Sequence, residues 1–264
     1  STIFWALNEG CDYSGCNKII RSQGQDLTYQ NIKAEWVVDA FAAELERGSL
    51  RAPFMAYLHF SDLHRSFDLE IARKHLREPL ELLPGIEGWD IEPYLGDQEH
   101  LNLFKTNKVR LYEAVTRYFF EQLTRLICLL RMRGLLDNTT LFITSDHGDE
   151  FWDHEEIERT SYNCGYRSQK PWLIGTGHGH TMFNELMHVP LVMVNPGQRL
   201  SPEHLDYPVS LVDIYPTILQ MAGIRPPCDI DGRSLLQPVL DREILMESTL
   251  YGFERKAVVR GSKK

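Results

Sequence analysis

The run Leu141-Phe142-Ile143-Thr144-Ser145-Asp146-His147-Gly148-Asp149 constrains the fold more than any other stretch. Leu141, Phe142 and Ile143 form a short apolar run after Asn138-Thr139-Thr140, the pattern of a strand covered on both faces in an α/β sheet. The polarity then changes abruptly. Asp146 offers carboxylate oxygens and His147 an imidazole nitrogen, both ordinary ligands of a divalent cation. Gly148 lets the backbone turn where a side chain would obstruct it. In open α/β sheets ligands bind beyond the carboxyl ends of strands, which is where this pair falls. An Asp-His pair after a strand is also what an ordinary polar loop looks like, so the following residues matter. Five of the ten histidines (147, 154, 178, 180 and 188) lie between 147 and 188, which points to a metal or oxyanion site.

A second strand ends in the same way. Pro53 introduces Phe54-Met55-Ala56-Tyr57-Leu58-His59-Phe60, which runs into Ser61-Asp62-Leu63-His64-Arg65. If the sheet is parallel here, His64 and Asp146 point into one crevice.

The remaining elements follow from periodicity. Residues 1–31 read as a loop-rich opening. Asn31 to Gly48 is a helix with Trp36, Val37, Ala40, Phe41 and Leu45 on one face. A short helix lies near Leu69 to Leu76, inside a long surface excursion over 66–105. The strongest helical pattern spans 107–133, with a stripe of Val109, Tyr112, Val115, Phe119, Leu123, Leu126, Ile127 and Leu130. Cys128 in that helix reads as a core residue. Between Glu155 and Thr176, Arg159, Arg167 and Lys170 alternate with Tyr162, Tyr166 and Trp172, as a lid over an anionic substrate or a solvated insertion would. Pro190 opens the strand Leu191-Val192-Met193-Val194. Ser210 to Asp213 forms a capping box before a helix that reaches Gly223, with Pro216 near its start. Arg233 in the turn Asp229 to Leu236 reads as structural, and Ala257 to Arg260 as a final strand.

Composition excludes several classes. The 264 residues suffice for one large α/β domain or two small ones, and 43% hydrophobic with 25% charged residues is ordinary for a globular chain. A formal net charge of -9 argues against a nucleic-acid binder but not against an anionic substrate at a local cationic site. No apolar run reaches the length of a transmembrane helix, about 18 residues. The five cysteines (Cys11, Cys16, Cys128, Cys164 and Cys228) are odd in number and scattered, so no disulfide framework is implied.

Taken together, three segments resemble the sulfatase family of the alkaline phosphatase superfamily. They are Thr144-Ser145-Asp146-His147-Gly148-Asp149-Glu150-Phe151, Gly177-His178-Gly179-His180-Thr181 and His188-Val189-Pro190-Leu191. Tyr57 to His64, Val209 to Gly223 and Asp231 to Leu236 fit the same family, in order, from about residue 35 onward. The resemblance implies an α/β fold, a central mixed and largely parallel β-sheet sandwiched by helices, incomplete at the N-terminus, with residues 1–264 forming a single domain. It implies cleavage of sulfate esters, with phosphate diesters and phosphonates as substrates of relatives. By the same resemblance Asp146 and His147 are metal ligands, and His64 and His178 contact the substrate oxyanion as catalytic residues. His154 and His180 are further substrate-binding candidates, and His188 is structural.

The chain departs from the family at one place above all. The family's nucleophile is a formylglycine made within Cys/Ser-x-Pro/Ala-x-Arg, or a Ser or Thr in relatives, and no such motif is present. Cys164-Gly165-Tyr166-Arg167-Ser168 lacks its third and fifth residues and follows the Asp-His strand instead of preceding it. The expectation is therefore an internal piece of a longer enzyme, inactive alone. A metal site of this kind takes Ca²⁺ or Mg²⁺ if sulfatase-like and Zn²⁺ or Mn²⁺ if phosphatase-like. The expected partner is a small-molecule or glycan sulfate ester, or a phosphate diester. Localisation is open; family members are often secreted, periplasmic or lysosomal. The rival readings are a phosphodiester or phosphonate hydrolase or phospho-group transferase, and a non-catalytic binding domain.

Overall fold

Asp97 starts the longest element. Its carboxylate accepts the N–H groups of Glu99 and His100 (3.0 and 3.1 Å), and a helix then runs from Gln98 to Met132 with neither Gly nor Pro inside. Gly134, at φ 66°, stops it. The computed structural model describes residues 2–5, 18–19, 33–50, 52–64, 67–89, 91–161, 174–195, 205, 207–237, 242–248, 254–261 and 263. The chain divides into two units, Ser1–Leu136 and Asp137–Lys264.

The first unit holds strands β1 (Thr2–Trp5), β2 (Lys18–Ile19) and β3 (Met55–Leu58), which form a parallel sheet in the order β2-β1-β3. Its helices are α1 (Ala34–Glu46), α2 (Leu69–His75) and α3 (Gln98–Met132). The opening is thus not all loop: Thr2, Ile3, Phe4 and Trp5, β-branched or aromatic, pair residue for residue with β3. Val37 of α1 packs on Leu58 and Phe60, while Ala34, Ile71 and Tyr118 close around Phe60 from α1, α2 and α3.

Helix α3 begins nine residues earlier than its periodicity suggests, and its buried face is rotated. The buried side is Phe104, Asn107, Lys108, Leu111, Ala114, Val115, Tyr118, Gln122, Leu126 and Leu130. Val109 is exposed, as is Cys128, which is not a core residue. Trp36 of α1 is exposed in the same way. An apolar stripe misreads this face because polar residues with fixed partners occupy several core positions. Lys108, fully buried, reaches the carbonyls of Ile86, Glu87 and Gly88 (3.0, 3.2 and 2.5 Å) and lies over the rings of Phe67 and Trp89. Asn107 holds the carbonyl of Glu81 at 2.6 Å. The excursion over 66–105 is consequently part of the core, with Leu83, Ile86 and Ile91 buried.

The second unit holds β4 (Leu141–Thr144), β5 (Glu150–Phe151), α4 (Glu155–Ser161), β6 (Thr176–Gly177), α5 (Asn184–Met187), β7 (Leu191–Val194), α6 (Ile214–Met221), β8 (Glu243–Ser248) and β9 (Arg255–Arg260). Its pairs are all antiparallel: β4 with β7, β5 with β6, and β8 with β9. The strands are therefore mixed in direction: the described strands form one three-stranded parallel sheet in the first unit and three antiparallel pairs in the second. The capping box forms as expected, and Asp213 at its end is fully buried. It accepts N–H groups from Ser210, Arg233 and the Arg242 guanidinium, each at 2.8 Å. Arg233 is structural through its backbone. Among the described residues no helix is long and apolar enough to cross a membrane.

Candidate functional site

Asp146 and His147 stand just beyond β4, where the antiparallel register Thr144↔Leu191 brings the end of β4 to the start of β7. Thr144 Oγ1 donates to the Pro190 carbonyl (2.7 Å), and Ser145 Oγ donates to the His147 carbonyl (2.6 Å), which fixes the turn. Gly148 is required by close approach. A Cβ there would lie 1.8 Å from the Glu185 carbonyl oxygen, and the Gly148 N–H donates to Leu186 O at 2.9 Å.

The register of β5 and β6 adds the next residue. Pairing Glu150 with Gly177 sets Asp149 opposite His178, and Asp149 Oδ1 lies 2.6 Å from His178 Nδ1. Both side chains are buried. Gly177 and Gly179 flank His178 at φ 73° and 77°, a conformation that L side chains rarely adopt. His147 Nδ1 donates to the Gly148 carbonyl at 2.8 Å, since a carbonyl can only accept. The His147 and His178 rings stack with centroids 3.8 Å apart and 29° between planes. In each ring Nδ1 is held by an oxygen acceptor, so Nε2 carries the lone pair, as in a histidine prepared to ligate a metal. The Asp146 carboxylate is mostly exposed; its Oδ1 accepts the His147 N–H at 3.1 Å and lies 3.8 Å from His147 Nε2.

The other candidates are placed differently. His154 stacks on Phe183 (3.7 Å, 11°), with Nδ1 3.5 Å from Glu150 and 3.7 Å from Glu185. His180 is fully buried, with Nε2 3.0 Å from Glu158 Oε1 and 3.3 Å from Glu150 Oε2. His188 is exposed at the end of α5. His64 belongs to the first unit, in a turn where its N–H donates to the Ser61 carbonyl at 3.0 Å. The same turn is anchored by Asp62, whose Oδ1 accepts the Ala34 N–H (3.0 Å) at the start of α1. Burial raises the Asp62 carboxyl to about 6 against the pull of that N–H. Burial also pushes the Glu158 carboxyl up, but the His180 imidazole and the Gly175 N–H outweigh it and hold the group below its ordinary range. Residues 162–173, which include Tyr162, Cys164, Tyr166, Arg167, Lys170 and Trp172, lie outside the described residues, as do Cys11 and Cys16.

Sequence reasoning had missed Asp149, Glu150 and Glu158. The signal for Asp149 was present: an acidic residue next to a strand whose partner strand carries the histidine. The antiparallel register that uses this signal was not visible.

The fold is that of the alkaline-phosphatase-like hydrolases. A structure solved in complex with its substrate D-glucosamine-2-N,6-O-disulfate superimposes with a TM-score of 0.60 at 16% identity, covering 86% of this chain and 59% of that one. The phosphonate monoester hydrolase of Agrobacterium radiobacter gives 0.59 at 19% identity, over 84% and 46%. The chain belongs to the sulfatase family, whose sequence pattern it matches over residues 4–224. It is similar to arylsulfatase K of Danio rerio (34% identical over 120 residues, 46% of this chain and 19% of the relative). It is also similar to arylsulfatase K of Bos taurus (35% over 125 residues, 47% and 19%). The matched region thus spans about a fifth of the length of these relatives.

Proposed function

We propose that this chain forms part of a metal-dependent sulfuric-ester hydrolase, with Asp146 and His147 as metal ligands and His178 and His64 as catalytic contacts to the ester oxygens. The observation that carries this reading is the stacked His147–His178 pair beside Asp146, with both Nδ1 atoms held by oxygen acceptors, in a chain of the sulfatase family. An exposed carboxylate and an imidazole whose Nε2 keeps its lone pair fit a divalent cation. A divalent cation at Asp146 and His147 supplies charge neutralisation for an anionic ester and lowers the pKa of an attacking oxygen.

Asp149 orients the His178 ring through Nδ1 and would stabilise its imidazolium, the form in which Nε2 can donate to the ester oxygens or protonate the leaving group. Asp62 fixes the turn that carries His64. His154, stacked on Phe183 and partly exposed, is a further substrate contact. The family match runs continuously across both units, which supports reading them as parts of one sulfatase domain. The substrate class is a sulfate ester of a small molecule or glycan.

The test compares bound metal and aryl-sulfate hydrolysis in the enzyme that contains this chain with those of its Asp146→Ala and His147→Ala variants. Both variants should lose the metal and at least 10³-fold of the activity, on the order of 4 kcal/mol of barrier. Unchanged metal content refutes the ligand assignment. Hydrolysis of phosphonate monoesters or phosphate diesters ahead of sulfate esters would move the enzyme to the phosphoryl branch of the superfamily.

A further inference from the structure

A second cluster of potential ligands lies where β5, α4 and β6 meet. Glu150 and His180 are fully buried and Glu158 is 2% exposed. His180 Nε2 faces two carboxylates, Glu158 Oε1 at 3.0 Å and Glu150 Oε2 at 3.3 Å. One ring nitrogen carries one proton at most, so it cannot give a full hydrogen bond to each of them. Glu150 Oε1 accepts the His154 N–H at 3.1 Å, and Glu158 has the Gly175 N–H at 2.8 Å on its other oxygen. Glu150 Oε2, buried and aimed at the cluster, faces His180 Nε2 and the Glu158 carboxyl without a hydrogen bond of good geometry. Two buried carboxylates beside one imidazole carry more negative charge than a neutral ring can cancel. A divalent cation would cancel it. The three ligand atoms lie within 4.8 Å of one another. A tetrahedral zinc with ligands at about 2.0–2.1 Å separates them by about 3.3 Å, close to the spacings around Nε2.

We propose that Glu150, Glu158 and His180 form a second, buried cation site that takes Zn²⁺ or a similar divalent transition metal, distinct from Asp146 and His147. Its role is structural. It ties β5, α4 and β6 together and so holds the Gly177–Gly179 turn on which His178 stands. This site does not depend on the sulfatase reading.

The experiment titrates Zn²⁺ and Co²⁺ into the chain carrying Asp146→Ala and His147→Ala, which removes the ligands of the first site and keeps those of the second. One equivalent should bind, with the visible absorption of tetrahedral Co²⁺, and the thermal midpoint should rise with Zn²⁺. Adding Glu150→Gln and Glu158→Gln, which keep side-chain shape, should weaken binding by at least about 100-fold. Absence of a Co²⁺ spectrum and of a Zn²⁺-dependent thermal shift in the Asp146/His147 variant overturns the proposal. So does unchanged affinity after the Glu→Gln substitutions. Failure of the Asp146 and His147 assignment would be read separately, as unchanged stoichiometry on removing those two ligands.

Discussion

Replacing Lys108 with Met should destabilise the first unit by about 3 kcal/mol. The side chain is buried at 1% exposure, and its ammonium donates to three main-chain carbonyls, those of Ile86, Glu87 and Gly88. A hydrogen bond to a charged group is worth about 1.5–3 kcal/mol, so three give roughly 4–9 kcal/mol gross. Two effects reduce that sum. Removing the ammonium also lifts its desolvation penalty of several kcal/mol. The loop can also turn the Glu87 and Gly88 carbonyls toward water, since those contacts are only partly buried. Methionine keeps the stem's apolar packing but loses the contacts to the faces of Phe67 (4.5 Å) and Trp89 (4.3 Å). Urea unfolding followed by tryptophan fluorescence is the assay, with Trp89 a reporter next to the substitution. At a slope of about 2 kcal/mol per molar urea, the midpoint should fall by about 1.5 M. Arg110→Met, on the exposed side of the same helix, should leave it within about 0.3 M. A midpoint for Lys108→Met equal to wild type, or above it, would refute the view that this cation is the anchor of the loop.

Three further outcomes concern Asp62, Gly148 and Asp149. The Asp62 carboxyl titrates at about 6 when folded against 3.8 when unfolded, so the folded state favours the protonated form. Its contribution to stability should therefore rise as pH falls through 6 toward 4, by up to about 3 kcal/mol. Asp62→Asn should flatten that rise in denaturation curves at pH 7 and 5 without loss at pH 7; an equal pH slope in both proteins would contradict it. Gly148→Ala should cost about 3 kcal/mol, because the new Cβ meets the Glu185 carbonyl oxygen at 1.8 Å; thermal unfolding within 1 °C of wild type would show that the turn yields freely. Asp149→Asn should lower kcat/KM of the enzyme for aryl sulfates by about 10–100-fold with metal content unchanged; full activity would remove Asp149 from the positioning of His178.

Local patterns were legible where chemistry is local. The capping box at Ser210–Asp213, the glycine stop after α3, β4 and the Asp146-His147 pair beyond it are all readable from neighbouring residues. So was the family, because its motifs are short and ordered. The buried face of α3 was not legible. Lys108 and Asn107 occupy core positions because carbonyls and rings distant in sequence satisfy them, and an apolar stripe cannot report a partner twenty residues away. The partners of Asp149 and Glu158, His178 and His180, were hidden for the same reason.

The sequence by itself determined which residues are chemically able to hold a cation or an anionic ester, and the strand end that carries two of them. Only the tertiary structure decided how those side chains are used. The β5/β6 register puts Asp149 on His178, and the packing of α4 puts Glu158 on His180. Two histidines separated by one glycine thereby acquire different surroundings. His178 is held by one carboxylate and stacked on His147, while His180 is enclosed by two carboxylates in the interior. Residue type sets what an imidazole can do, and burial and partners select which of those things it does.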